Sequence, residues 1–263
     1  MNVGKRSPTS GVVVLWILAV STPCGSHPTL EHQQSKRTVP AGQAVVIKNL
    51  YGDVRARSGE GSTLEAYAVI QNLDPATPAP AMSIEQKEGA TVVEVNLAES
   101  PPSKPDRADL VVYVPPGSPV RIITKNGLAE VKGFEGDVTV ETTSGQISLR
   151  GVGGQLQARS DNGNIMAEVK SSPAVHKHEF ITTTGNIELW LWEDLQAGIR
   201  VETSGQITTD YSIEIIRNED SEPDKLGKAV LGKGGTAIHA VSKRGNILLL
   251  RMIKQFKKAE PST

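Results

Sequence analysis

Thr142-Thr143-Ser144-Gly145-Gln146-Ile147-Ser148-Leu149 decides the fold, because the chain repeats it. It returns as Ser160-Asp161-Asn162-Gly163-Asn164-Ile165 and as Thr182-Thr183-Thr184-Gly185-Asn186-Ile187. Two more copies follow, Glu202-Thr203-Ser204-Gly205-Gln206-Ile207 and Ser242-Lys243-Arg244-Gly245-Asn246-Ile247. A looser one, Thr124-Lys125-Asn126-Gly127-Leu128-Ala129, precedes them all. The turn glycines Gly127, Gly145, Gly163, Gly185, Gly205 and Gly245 are spaced by 18, 18, 22, 20 and 40 residues. The last step reads as two periods with one marker lost. A period near 20 residues is the signature of a stacked array.

Within each copy the apolar residues alternate, which is the period of a strand. Val138, Val140 and Thr142 precede Gly145, and Ile147 and Leu149 follow it. Each period is therefore strand, glycine turn, strand, second turn. One such unit has a single apolar face and buries it only against its neighbours. The reading is an all-β chain, a β-solenoid or β-helix-like stack of 18–22-residue coils with Gly-centred turns. Six coils at ~4.8 Å each would make a rod on the order of 30 Å long. Two polar ladders fit this stack. Gln146, Asn164, Asn186, Gln206 and Asn246 follow the glycines, where stacked amides can hydrogen-bond along the rod. Thr124, Thr142, Ser160, Thr182 and Ser242 stand three residues before a glycine, where hydroxyls can satisfy turn backbone. The competing reading is a meandering sandwich, since Asn-Gly and Ser-Gly also make hairpin turns.

The 263 residues carry 22% charged side chains and a net charge of −1, so no polyelectrolyte partner is implied. No basic stripe with interleaved aromatics runs along the sequence, which argues against nucleic acid. Cys24 is the one cysteine, so there is no intrachain disulfide framework.

Residues 1–26 read as a signal peptide. Lys5 and Arg6 precede the apolar Gly11–Val20 stretch, and small residues lead to cleavage after Ser26. Cys24-Gly25-Ser26 also offers a lipid attachment point, the one route here to membrane association, although Pro23 directly before it obstructs such processing. Residues 27–38 read as a polar linker, and 39–118 as an N-terminal β region leading into the stack. Residues 119–251 are the repetitive solenoid, with a charged excursion at 211–235. Residues 252–263 form a basic cap or tail, and a solenoid needs a cap on its last coil.

No catalytic residues are assigned. Outward positions carry Glu141, Arg150, Arg159, Asp161, Glu168, Glu188 and Glu202, scattered and mixed in sign, as on a solvated strand face. His176-Lys177-His178 lacks a third ligand at recognisable spacing, so no metal site is read, and no cofactor motif is present. Trp190 and Trp192 are the candidate ligand-binding residues. If Ile187, Leu189 and Leu191 point inward, both tryptophans point out on one face, where they can stack on sugar rings or anchor a partner. The alternative is that the excursion folds back over them.

Asn49-Leu50-Tyr51-Gly52-Asp53-Val54, the Val112-Tyr113-Val114-Pro115 strand and the serial Ser-Gly-Gln-Ile and Asn-Gly-Asn-Ile turns together carry a resemblance. From about Ala44 to Arg251 the chain resembles the bacterial putative adhesin family, a domain-of-unknown-function group of exported or envelope-associated β-solenoid proteins. The resemblance implies a right-handed β-helix-like fold at the cell envelope and brings no functional residues with it. The function expected is a non-catalytic, exported adhesin-like or scaffold protein, in the periplasm, outer envelope or secreted. Its partner would be an envelope protein or a polysaccharide. The alternatives are a carbohydrate-active enzyme on a β-helix and a regulatory partner in envelope stress.

Overall fold

The computed structural model describes residues 29–73, 80–97 and 106–253, and among them there is no helix. The expected signal peptide, Cys24 and the tail beyond Ile253 lie outside the described residues. The strands are β1 (Thr29–Thr38), β2 (Val45–Tyr51), β3 (Val54–Ser58), β4 (Thr63–Asn72), β5 (Met82–Lys87), β6 (Ala90–Val95) and β7 (Arg107–Val114). They continue as β8 (Val120–Asn126), β9 (Ala129–Lys132), β10 (Val138–Ser144), β11 (Ile147–Arg150), β12 (Leu156–Ser160), β13 (Ile165–Val169) and β14 (Lys177–Thr182). The last are β15 (Ile187–Trp192), β16 (Ala197–Thr203), β17 (Ile207–Thr209), β18 (Glu214–Arg217), β19 (Lys225–Leu231), β20 (Thr236–Ser242) and β21 (Ile247–Met252).

Two sheets result. Sheet A has ten strands in the order β1-β4-β7-β3-β9-β11-β13-β15-β21-β17. Sheet B has eleven, in the order β18-β19-β16-β20-β14-β12-β10-β8-β2-β6-β5. The chain crosses from B to A at each glycine turn, so each coil contributes one strand to each sheet. Coils pair in parallel and in register: Ile147 lies beside Ile165, Ile165 beside Ile187, and Ile187 beside Ile247.

The spatial order of the coils differs from the chain order. From one end of the stack it runs β6/β7, β2/β3, β8/β9, β10/β11, β12/β13, β14/β15, β20/β21, β16/β17. The first coil of the chain lies between the second and third, and the last coil, β20/β21, slides between β14/β15 and β16/β17. The stack therefore exceeds the expected six coils. The 40-residue step holds no lost marker: it spans a hairpin and a return to an inner rung. Burial rationalises the choice of rung. Ile247, in the inserted coil, is fully buried, whereas Ile207 on the terminal three-residue β17 is half-exposed.

Three expected boundaries are corrected by the same topology. Residues 29–38, expected as linker, form β1, antiparallel to β4. Its buried face is polar, which hid it from hydrophobic periodicity. Gln33 is buried, donates to the Pro80 carbonyl at 3.2 Å and accepts the Met82 N–H at 2.7 Å. The 39–118 region is not an approach to the stack but supplies two of its coils. The 211–235 excursion is the β18–β19 hairpin, which extends sheet B antiparallel to β16. Sheet B at the far end of the stack is thus closed by this hairpin. The coil that leads into the basic tail is an inner one.

The interior is a set of side-chain columns. One runs Val93, Ile47, Ile122, Val140, Ala158, Phe180, Ala240, Val201 across sheet B. The bulky Phe180 is fully buried between two alanines, which keeps the column's volume constant at native packing density.

The turn column is the tightest part of the structure. A Cβ at Gly163 would run into the Gly145 carbonyl, one at Gly185 into that of Gly163, and one at Gly245 into that of Gly185. Gly145, Gly163, Gly185 and Gly245 do not have positive φ, so close approach and not backbone geometry demands glycine there. Gly52 and Gly127 are the exceptions, at φ 116° and 128°. At the first rung the column ends in Ala108, whose carbonyl faces Gly52 and which has no coil below it.

Hydroxyls three before Gly163, Gly185 and Gly245 close the turns. Ser160, Thr182 and Ser242 donate to the glycine carbonyl of the coil below, at 3.3, 3.0 and 2.6 Å. Thr203, two residues before Gly205, does so for Gly245, and Asn49 serves the same role toward Ala108 at 2.7 Å. Thr124 and Thr142 follow the two positive-φ glycines, and their hydroxyls are buried without a partner. Thr182→Val should therefore cost about 1 kcal/mol, whereas Thr142→Val should be neutral or stabilising. Urea denaturation of the two variants checks the contrast; equal losses would contradict it. At the final rung no further hydroxyl arrives. Lys225 Nζ instead donates to the Ser204 and Gly205 carbonyls at 2.8 and 3.0 Å and ends the ladder.

The amide ladder also bonds differently from expectation. Side chains do not pair with one another. The Asn164 Oδ1 accepts the Asn186 N–H, Asn186 Oδ1 that of Asn246, and Asn246 Oδ1 that of Gln206, at 2.8, 2.8 and 2.9 Å. Asp109 and Asp53 do the same at the other end, for the N–H groups of Asp53 and Leu128. Leu128 breaks the series, having no acceptor.

Candidate functional site

Ile187, Leu189 and Leu191 of β15 are fully buried, so strand alternation turns Glu188, Trp190 and Trp192 to the outer face of sheet A. Both tryptophans are half-buried. Trp190 lies between Glu168 on β13 and Leu250 on β21. Trp192 lies beside Met252, and Glu188 between Met166 and Leu248. Together Met166, Trp190, Trp192, Leu248, Leu250 and Met252 form an apolar patch on this outer face, several strands away from the outward Val69, Val111 and Tyr113. The six side chains are half-buried, and contiguous apolar surface left partly open to solvent makes this a candidate interaction site. Trp190 Nε1 donates to Glu188 Oε1 at 2.6 Å, which fixes the indole.

At its lower edge the patch opens into a recess of about 460 Å³, whose lining includes Trp192, Asp210, Tyr211, Leu231 and Arg251. Tyr211 is packed against the core and donates its hydroxyl to the Leu191 carbonyl at 3.1 Å. Burial raises its pKa, with the nearby Arg251 charge opposing. The Arg251 guanidinium sits 5.1 Å from the Tyr211 ring centroid, a cation–π contact. Its backbone N–H is held by Asp210 Oδ2 at 2.9 Å. Tyr211 and the β19 end therefore meet Trp192 at one side, while Trp190 lies two residues back along the same strand. Aromatic walls with a polar rim suit a ring-shaped polar ligand.

The other sequence candidates lie elsewhere. Glu141 pairs with Arg121 at 2.9 Å, Glu202 with Arg200 at 2.8 Å, and Arg159 reaches Glu179 at 4.0 Å. Glu168 accepts the Gly151 N–H at 3.1 Å. The Arg200–Glu202 contact lies within β16 and the others cross between neighbouring strands, and each pairs the carboxylate with a cation or a backbone N–H on the surface. Among the described residues no group of three or more His, Cys, Asp or Glu could hold a metal ion. His176 contacts Ser172 at 3.1 Å, while His178 is buried and accepts the Leu156 N–H at Nδ1, 3.1 Å away. Burial lowers the His178 pKa to about 4, helped by the neighbouring His176 charge and opposed by Asp137.

Sequence reading missed Met166, Leu248, Leu250, Met252, Tyr211 and Arg251. Their placement depends on β21 lying beside β15, which chain order does not reveal. One signal was present: Leu248-Leu249-Leu250 is apolar on both faces of a strand, which an ordinary solvated face would not require.

Residues 102–250 match the family model described as Toastrack DUF4097. No curated protein matches the chain significantly in sequence. Among solved structures, a putative cell adhesion protein from Clostridium sporogenes is similar over 84% of this chain and 100% of its own, at 10% identity and a TM-score of 0.50. A putative adhesin from Bacteroides fragilis aligns over 84% of this chain and 97% of its own, at 12% identity and a TM-score of 0.29. At such identity, the likeness to the Clostridium protein is one of fold.

Proposed function

The chain belongs to the Toastrack DUF4097 family, and from that premise we propose that it is a non-catalytic, exported adhesin-like or scaffold protein of the bacterial envelope. It binds a glycan or an envelope partner through the outer face of sheet A. The observation that carries this reading is the apolar patch around Trp190, set in register across β13, β15 and β21. A flat sheet face on a rigid stack offers such a ligand an extended surface at little ordering cost. The adhesion-related name of the similar Clostridium structure agrees with this reading.

Trp190→Ala tests it. The purified protein is applied to a glycan array, with melting temperature measured in parallel. At least about a tenfold loss of binding is expected, corresponding to about 1.4 kcal/mol, with melting temperature close to that of the parent. Intact binding together with a large drop in melting temperature would show Trp190 to be a packing residue and remove the proposed site.

A further inference from the structure

A second row of side chains crosses the same outer face. Tyr113 of β7 faces Arg57 of β3, Arg57 faces Lys132 of β9, and Lys132 faces Arg150 of β11. Glu168 follows Arg150 along the row, as the residue after the Leu149–Ala167 pair, and then Trp190. Adjacent strands lie ~4.8 Å apart, so three cations stand abreast over about 10 Å, and the row from Tyr113 to Trp190 spans roughly 24 Å.

Like charges side by side on neighbouring strands are unfavourable and are not placed so for the sake of the fold. Only Arg57 is offset, by Glu130 at 2.8 Å. Lys132 and Arg150 are exposed, and among the described residues neither is in an ion pair; Arg150 reaches only the Met166 sulfur, at 3.4 Å. Aromatic rings stand at both ends. Tyr113 is 40% exposed and meets Tyr67 edge-on at 6.1 Å, beside a shallow recess of about 660 Å³. Residues 57, 132 and 150 are far apart in the chain, so no basic run appears in the sequence.

We propose that this row is a binding track for an extended acidic polysaccharide. Its carboxylates lie over Arg57, Lys132 and Arg150, and its sugar rings stack on Tyr113 and Trp190. The inference rests on the binding role proposed above and adds the ligand class and the residues that select it. Guanidinium groups match carboxylates in geometry, and aromatic faces match the apolar faces of sugar rings. Glu130 pairs with Arg57, and Glu168 stands in the row itself between Arg150 and Trp190, so the cations are interrupted by carboxylates, which disfavours the denser charge of a nucleic acid.

Binding of polygalacturonate, its methyl ester and oligo(dT) is measured for the parent, for Lys132→Glu with Arg150→Glu, for the matching double alanine variant, and for Trp190→Ala. The acid form is expected to bind, the ester to bind at least about tenfold more weakly, and both double variants to lose about tenfold or more. Added salt should weaken the interaction. Melting temperatures of the double variants should match the parent, since both positions are exposed. Equal binding of acid and ester, parent-like binding by the double variants, or tighter binding of oligo(dT) would overturn the track. If the ester binds like the acid and Trp190→Ala abolishes both, the acidic-ligand inference fails while the binding face stands. If none of the three probes binds, the track is overturned, and the array result for Trp190→Ala decides the binding face separately.

Discussion

Gly163→Ala is expected to destabilise the protein by about 3 kcal/mol or more, the upper range for forcing atoms into a packed site. The added methyl would lie against the Gly145 carbonyl and within 2.7 Å of both Gly145 C and Ser160 Oγ. No rotamer relieves this, because a Cβ has none. The coil must move away from its neighbour, and the Ile165–Ile147 rung and the Ser160 hydrogen bond move with it. Gly198→Ala is the control. It lies on β16 with nothing within 4 Å of the added atom and no positive φ, so its effect should stay within about 0.5 kcal/mol. Urea midpoints of the two variants test the contrast. A mild Gly163→Ala would mean that the turns are not in contact.

His178 should make the protein acid-sensitive. It occupies a core-facing position of β14, paired with Ile238 and stacked on Phe180 at 6.5 Å between ring centroids. Its pKa falls from 6.5 to about 4, chiefly by burial. Between those values the unfolded chain holds the proton and the folded chain does not, so stability falls as pH drops through the window. The loss through this group should reach about 3 kcal/mol between pH 7 and pH 4, and level off below. Protonation would also turn Nδ1 from acceptor to donor against the Leu156 N–H. His178→Asn keeps an acceptor for that N–H and removes the titration. The stability difference between parent and variant should therefore shift by about 3 kcal/mol over this pH range. Parallel pH profiles would contradict the assignment.

Much of this architecture can be read from the repeats. The glycine spacing and the alternation around Ile147, Ile165 and Ile187 identify stacked coils, because close approach and burial leave few residue types at those positions. Coil order was not legible. Nothing in Ser242–Ile247 says that it stacks on Gly185 rather than on Gly205, since all the turns present the same surface. β1 was missed because its inward residues, Gln33 and Ser35, are polar and buried. The sequence of the β18–β19 hairpin resembles a solvated excursion because its charged turn dominates the composition, although Gly227 and Ala229 alternate inward. Trp190 and Trp192 were visible as outward aromatics. The apolar and cationic neighbours that make a surface of them come from other strands, and only the register brings them together.

The central claim is that β21 lies between β15 and β17. Disulfide formation between outward-facing cysteines tests it directly, in a Cys24→Ser background. Glu188 and Leu248 are direct neighbours in register, as are Leu248 and Thr208, whereas Glu188 and Thr208 are two strands apart. Adjacent strands fall within the Cα separation a disulfide needs, about 4.4–6.8 Å, and a pair about 10 Å apart does not. Glu188→Cys with Leu248→Cys should cross-link readily, and Glu188→Cys with Thr208→Cys should not. Cross-linking of 188 to 208 in preference to 248 would mean that the coils stack in chain order, and the binding face built on Leu248 and Leu250 would not exist.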